Sequence, residues 1–191
     1  SAASDVYKRQ GRVLAEEWGA CLIQNTGRMI QHCISSPIQR CIDTAALMIE
    51  GADRVTPTSN THTIEIVEQG LLVEPGSFVL DIKKAAPYFR EQGALGFINS
   101  FVNNALPGMK HPITGVFDVL ELIYNTHPNA SNGLSLAVSH DTIIAAIVAV
   151  ISGRSQIDKE DWPAMMEGLF VWFEGDDFLN SQLKWIWRCL L

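Results

Sequence analysis

The chain has 191 residues, 47% of them hydrophobic and 18% charged, which is ordinary for a globular protein and enough to bury one substantial core. Its formal net charge of −7 excludes a general nucleic-acid binder, which would present a basic face. Any site for an anion must therefore be locally basic, and no apolar run approaches the roughly 20 residues needed to cross a bilayer, so neither nucleic acid nor membrane is expected as a partner.

Residues 1–10, SAASDVYKRQ, show no periodicity joining them to the residues after them and are read as a non-native or fragment scar; residues 11–191 are expected to form a single domain. Gly11 to Asn25 reads as an amphipathic helix with Leu14, Trp18, Cys21 and Leu22 on one stripe, stopped by Gly27. Met29 to Ser35 comes next as a short strand. Ser36 then suits the N-cap of a second helix, with Pro37 at its first position, where a missing N–H is harmless. Ile38, Cys41, Ile42, Ala45, Ala46 and Ile49 form its apolar stripe, and Gly51 its end. Arg40 sits in the first turn, the wrong end of the dipole for a cation. We read it as an anion clamp in preference to a solvated surface arginine.

Val55 to Thr61 is a polar loop, Thr63 to Val67 a further strand, and Gly70 to Gly76 a connection carrying Glu74. From Phe78 to His127 the chain reads as broken helix, punctuated by Pro87, Gly93, Gly96 and Pro107. This stretch interrupts the strand–helix alternation and is expected to be an insertion or cap. Its aromatics Tyr88, Phe89, Phe97 and Phe101 are expected in the core, with a pocket lining as the lesser alternative.

Leu134, Leu136 and Val138 alternate as in a strand running into the middle of a sheet, and Ile143 to Ile151 is wholly apolar up to a stop at Gly153. The polar break Ser139-His140-Asp141-Thr142 between them lies at the carboxyl end of a strand and the start of a helix. There, free N–H groups and the helix dipole favour anions. We read it as half of a phosphate site. Gly168 to Glu174 and Leu183 to Arg188, across Gly175-Asp176-Asp177, predict a β-hairpin finishing the sheet at an edge.

The cysteines Cys21, Cys33, Cys41 and Cys189 show no metal-ligand spacing, and three of them fall inside apolar patterns. They are read as free buried thiols, which leans the chain towards a cytoplasmic setting. Asn129-Ala130-Ser131 is a formal glycosylation triplet of a kind common by chance.

Two strand-to-helix turns, SSPIQR (Ser35 to Arg40) and SHDT (Ser139 to Thr142), stand about a hundred residues apart. Together with Gly11-Arg12-x-x-Ala15, GLLVEPG, the helical insertion and the closing hairpin, they run in the order seen in the histidine phosphatase superfamily, which the chain resembles. That superfamily includes phosphoglycerate mutases, acid phosphatases and phytases. The resemblance implies a three-layer α/β/α fold with a mostly parallel sheet, the insertion over residues 78–127, and a C-terminal β-hairpin. It also implies a phosphomonoesterase acting on a small phosphorylated substrate through a phosphohistidine, with no metal or organic cofactor. Arg40 and His140 would hold the phosphoryl oxygens, and Asp141 would protonate the leaving group, as in the acid phosphatase branch. Glu74 is the reserve acid, as in the mutase-like branch.

The family's nucleophile is the histidine of an Arg-His-Gly triplet ending the first strand. His32, His62, His111, His127 and His140 are the histidines here, and none stands in such a triplet. The expectation is therefore an N-terminally truncated phosphatase, inactive in this form, or else a non-catalytic phosphate-binding or scaffold pseudoenzyme of the same fold. There is no G-x-S-x-G elbow for a serine hydrolase, and no glycine-rich nucleotide loop.

Overall fold

The computed structural model describes residues 2–58, 62–74, 76–127 and 132–188, and the side chains from Lys8 onward. The glycosylation triplet and Cys189 lie outside the described residues. The described residues divide into two compact units: one takes in residues up to Gln69 together with Thr126–Val138, the other Gly70–Asn125 together with residues 139–188.

The first unit begins with helix α1, Ala2–Thr26, which extends through the segment that shows no periodicity in sequence. Gly27 closes it at φ 64°, the left-handed cap that glycine adopts without strain. Strand β1 is Ile30–Ser35, helix α2 is Gln39–Val55, and strand β2 is Ile66–Glu68. Strand β3, Leu134–Val138, completes a parallel sheet of order β2-β1-β3.

Two expectations for α2 are corrected. The helix starts after Ile38, with no side-chain cap, and Ser36 is not its N-cap. The reason lies in the sheet: Ser36 N–H donates to the Val138 carbonyl at 2.9 Å, so the backbone stays extended past the end of β1. Nor does Gly51 end the helix, which runs on to Val55. A Cβ at Gly51 would run into the Glu16 carbonyl, and one at Gly19 into the Met48 carbonyl. The α1–α2 seam is thus built on small residues, with Ala15, Gly19, Ala45 and Ala52 buried along it. Of the stripes read in sequence, Leu22, Cys41 and Ala45 are buried, Leu14, Trp18 and Ile42 half-buried, and Ala46 exposed, while Ile38 precedes the helix and is exposed.

The sheet brings three further corrections. β3 is an edge strand among the described residues, not a central one; Leu134, Leu136 and Val138 stay half-buried. β1 is central and carries the buried Ile30, Cys33 and Ile34. The second strand is shorter and later than Thr63–Val67, because its ladder with β1 spans only Cys33↔Ile66 to Ser35↔Glu68. The hairpin, strands β4 Leu169–Glu174 and β5 Gln182–Trp187, forms an antiparallel sheet of its own instead of extending the parallel one.

In the second unit, helix α3 spans Ile82–Val102 and breaks at Gly93 (φ 67°), where only glycine sits comfortably. Asp81 caps it, accepting from the backbone N–H groups of Lys83 and Lys84. Helix α4 is Pro112–Thr126 and helix α5 is Asp141–Ile151. Phe78 stacks on Phe101 at 4.6 Å and Phe97 meets Phe89 edge-on at 5.2 Å; Phe78, Phe97 and Phe101 are fully buried in the core, while Tyr88 and Phe89 are half-buried. The hairpin satisfies its apolar face here too, with Phe173 against Tyr124 of α4 and against Phe178. That packing is why it needs no place in the parallel sheet. The fold class is α/β, with a three-stranded parallel sheet, helices and a C-terminal antiparallel hairpin. Among the described residues, no helix is long and apolar enough to cross a membrane.

Candidate active site

In the first unit, β1 and β3 end level with one another, Ser35 opposite Val138. Ser35 and Ser36 are both fully buried. Ser35 Oγ donates to the Ser36 carbonyl at 2.9 Å, and the Ser35 carbonyl accepts from Gln69 N–H at 2.8 Å. This ties the turn down before α2 begins. Arg40 is the second residue of α2 and is exposed.

The second unit gathers the other three expected residues around the start of α5. His140 is the N-cap residue of α5, in extended conformation, and is 5% exposed. Its carbonyl accepts the first helical N–H groups, from Ile143 and Ile144, both at 3.1 Å. Its Nδ1 lies 3.8 Å from Glu74 Oε2, a distance at which the attraction is electrostatic and not a hydrogen bond. Ser139 Oγ donates to the Leu72 carbonyl at 2.7 Å, which fixes the short turn Gly70–Leu72 beside the His140 turn and so brings Glu74 within reach. Glu74 therefore stands as the carboxylate partner of the imidazole.

Asp141 opens α5 as the acidic residue of its first turn. One oxygen, Oδ1, accepts from Thr142 N–H at 2.9 Å, and the other, Oδ2, accepts from the Trp162 indole N–H at 2.8 Å. Thr142 Oγ1 is buried with no hydrogen-bond partner, at the second position of the helix. Trp162 is the neighbour of Asp141 that sequence reading misses. It lies 21 residues from Asp141 in an irregular loop, and no periodicity marks such a partner. No group of three or more His, Cys, Asp or Glu among the described residues is arranged to hold a metal.

Cys33, packed behind the turn on β1, has its thiol pushed up to about 12 by burial. A thiol in that state is inert as a nucleophile. Cys41 is also buried and Cys21 half-buried.

No protein-family model matches the sequence, and no curated protein matches it. Solved structures do. Mycobacterial hydrolase 1 and Mycobacterial hydrolase 2 each superpose with a TM-score of 0.53 at 17% identity, over 93% of this chain and 84% and 77% of theirs. A mycobacterial glucosyl-3-phosphoglycerate phosphatase superposes with a TM-score of 0.54 at 15% identity, over 93% of this chain and 85% of its own. At such identities the likeness is one of fold, and the chain has the α/β fold shared by these hydrolases, a phosphatase among them.

Proposed function

We propose that this protein is a phosphomonoesterase of the histidine phosphatase type, acting on a small phosphate monoester. The reading is carried by the second turn: a buried imidazole beside a carboxylate, at a helix N-terminus, with a second carboxylate fixed next to it in the chain. In its protonated form His140, 3.8 Å from Glu74, donates to a phosphoryl oxygen. The planar guanidinium of Arg40 suits two phosphoryl oxygens. Donors of this kind stabilise charge spread over a transferring phosphoryl group.

The chemistry has two steps. A histidine attacks phosphorus in line, forming a P–N bond as the ester P–O bond breaks, and Asp141 gives its proton to the departing oxygen. Water then attacks the phosphohistidine, Asp141 takes the proton, and phosphate and free imidazole result. The attacking histidine, in its Arg-His-Gly setting, is not among these 191 residues. That observation favours a second reading, a phosphate-binding protein of the same fold without turnover.

The test uses the 191-residue chain. It should bind inorganic phosphate by calorimetry, and Arg40→Ala should weaken that binding by roughly tenfold or more, as expected for a lost charge-assisted bond. It should release no nitrophenolate from p-nitrophenyl phosphate. Phosphate affinity indifferent to Arg40→Ala overturns the clamp, and steady turnover overturns the missing-nucleophile account.

A further inference from the structure

The carboxylate of Asp141 is held from a distance. Its Oδ2 accepts from the Trp162 indole N–H at 2.8 Å, and an indole nitrogen can only donate. While this bond holds, the lone pair facing Trp162 is occupied as an acceptor. A proton carried by this carboxyl must sit on the side turned away from the indole. Thr142 N–H, at 2.9 Å, engages Oδ1 from within α5. Two donors on two oxygens leave the group one orientation.

Trp162 is itself clipped in place. Its backbone carbonyl accepts from Arg188 Nη2 at 3.0 Å, and the same nitrogen reaches the Glu160 carbonyl at 2.8 Å. Arg188 Nε donates to Glu167 Oε2 at 3.2 Å, and Nη1 lies 3.9 Å from Asp161. Arg154 pairs with Asp161 at 2.8 Å from just beyond α5. Arg188 comes directly after β5 and takes φ 54°, a conformation that a non-glycine residue keeps only when its surroundings hold it there. The end of the hairpin thus fastens the loop that carries Trp162.

We infer that Trp162 is a positioning residue for Asp141, with Arg188 as the clip that holds it, so that the carboxyl transfers its proton along one fixed direction. This rests on the proposed phosphatase reading only for what that proton is used for; the geometry is independent of it.

The experiment is NMR on the 191-residue chain and on Trp162→Phe, which keeps an aromatic ring and deletes only the N–H. Three-bond Hα–Hβ couplings of Asp141 should report a single rotamer in the wild type and averaging in Trp162→Phe. One indole N–H cross-peak, identified by its loss in Trp162→Phe, should move in Asp141→Asn while the indoles of the other tryptophans stay. Arg188→Gln should loosen the Asp141 rotamer with the indole still present. A single Asp141 rotamer surviving in Trp162→Phe, or an indole peak indifferent to Asp141→Asn, overturns the proposal. Inorganic phosphate added to the same samples separates the two ideas. If it leaves the His140 ring resonances unmoved, the phosphate reading fails, while the rotamer result still decides the role of Trp162.

Discussion

After β1 the chain turns through Ser35-Ser36-Pro37 on backbone hydrogen bonds and buried hydroxyls, almost all of them local or within the sheet. After β3 it turns through Ser139-His140-Asp141 on side chains that reach residues up to 67 positions away, among them Leu72, Glu74 and Trp162. The first turn is a rigid platform that exposes one cation, Arg40. The second is an assembled group of two carboxylates and an imidazole. A binding function needs little more than the first kind of turn, because a helix N-terminus and a guanidinium already suit an anion. Proton transfer needs the second kind, because direction matters as much as charge.

The sharpest way to break this comparison is Asp141→Asn in a form of the protein that turns over. Loss of a general acid removes on the order of 10²–10⁴ in kcat, and the loss should fall on alkyl phosphates, whose leaving oxygen needs the proton. p-Nitrophenyl phosphate, with a good leaving group, should be nearly spared. Equal losses on both substrates would remove Asp141 from the acid role and leave Glu74 as the candidate.

A second test addresses the platform beneath the first turn. Gly51→Ala places a methyl group against the Glu16 backbone of α1, which cannot step aside as a side chain can. Forcing the two helices apart should cost about 1–3 kcal/mol, read as a lower denaturation midpoint in urea. An unchanged midpoint would mean that the seam has room for a methyl group after all. The His140 turn, fastened separately through Ser139, should keep its indole and imidazole resonances in this variant.

The smallest effect lies in the hairpin loop. The Asn180 side-chain amide and then its backbone N–H hold the Asp177 carboxyl below its ordinary range. A carboxyl depressed on folding contributes stability that is present above its unfolded pKa and lost as pH falls through the folded one. Asp177→Asn should therefore lower the thermal midpoint slightly at neutral pH and have no effect in strong acid. The group is fully exposed, so solvent screening keeps the difference small. A midpoint gap that persists into strong acid would assign the effect to packing instead of charge.

Some of this was decided by the sequence alone. Apolar alternation at Leu134 to Val138, the unbroken apolar run Ile143 to Ile151 and the polar break between them locate the second turn to the residue, since periodicity and end signals are local properties. Gly27 and Gly93 mark breaks for the same local reason. Tertiary structure decided what local signals cannot encode. The α1–α2 seam runs along Gly19, Gly51 and the alanines because close backbone approach requires the absence of a side chain, and hydrophobic periodicity counts only side chains that are present. β3 is an edge strand and the hairpin a separate sheet, its Phe173 packed on Tyr124, because strand order depends on long-range pairing that local alternation does not encode. The partners of His140 and Asp141, Glu74 and Trp162, are set by chain folding over dozens of residues. A hydrogen bond is recognised by where two groups end up, and not by how far apart they stand in the chain.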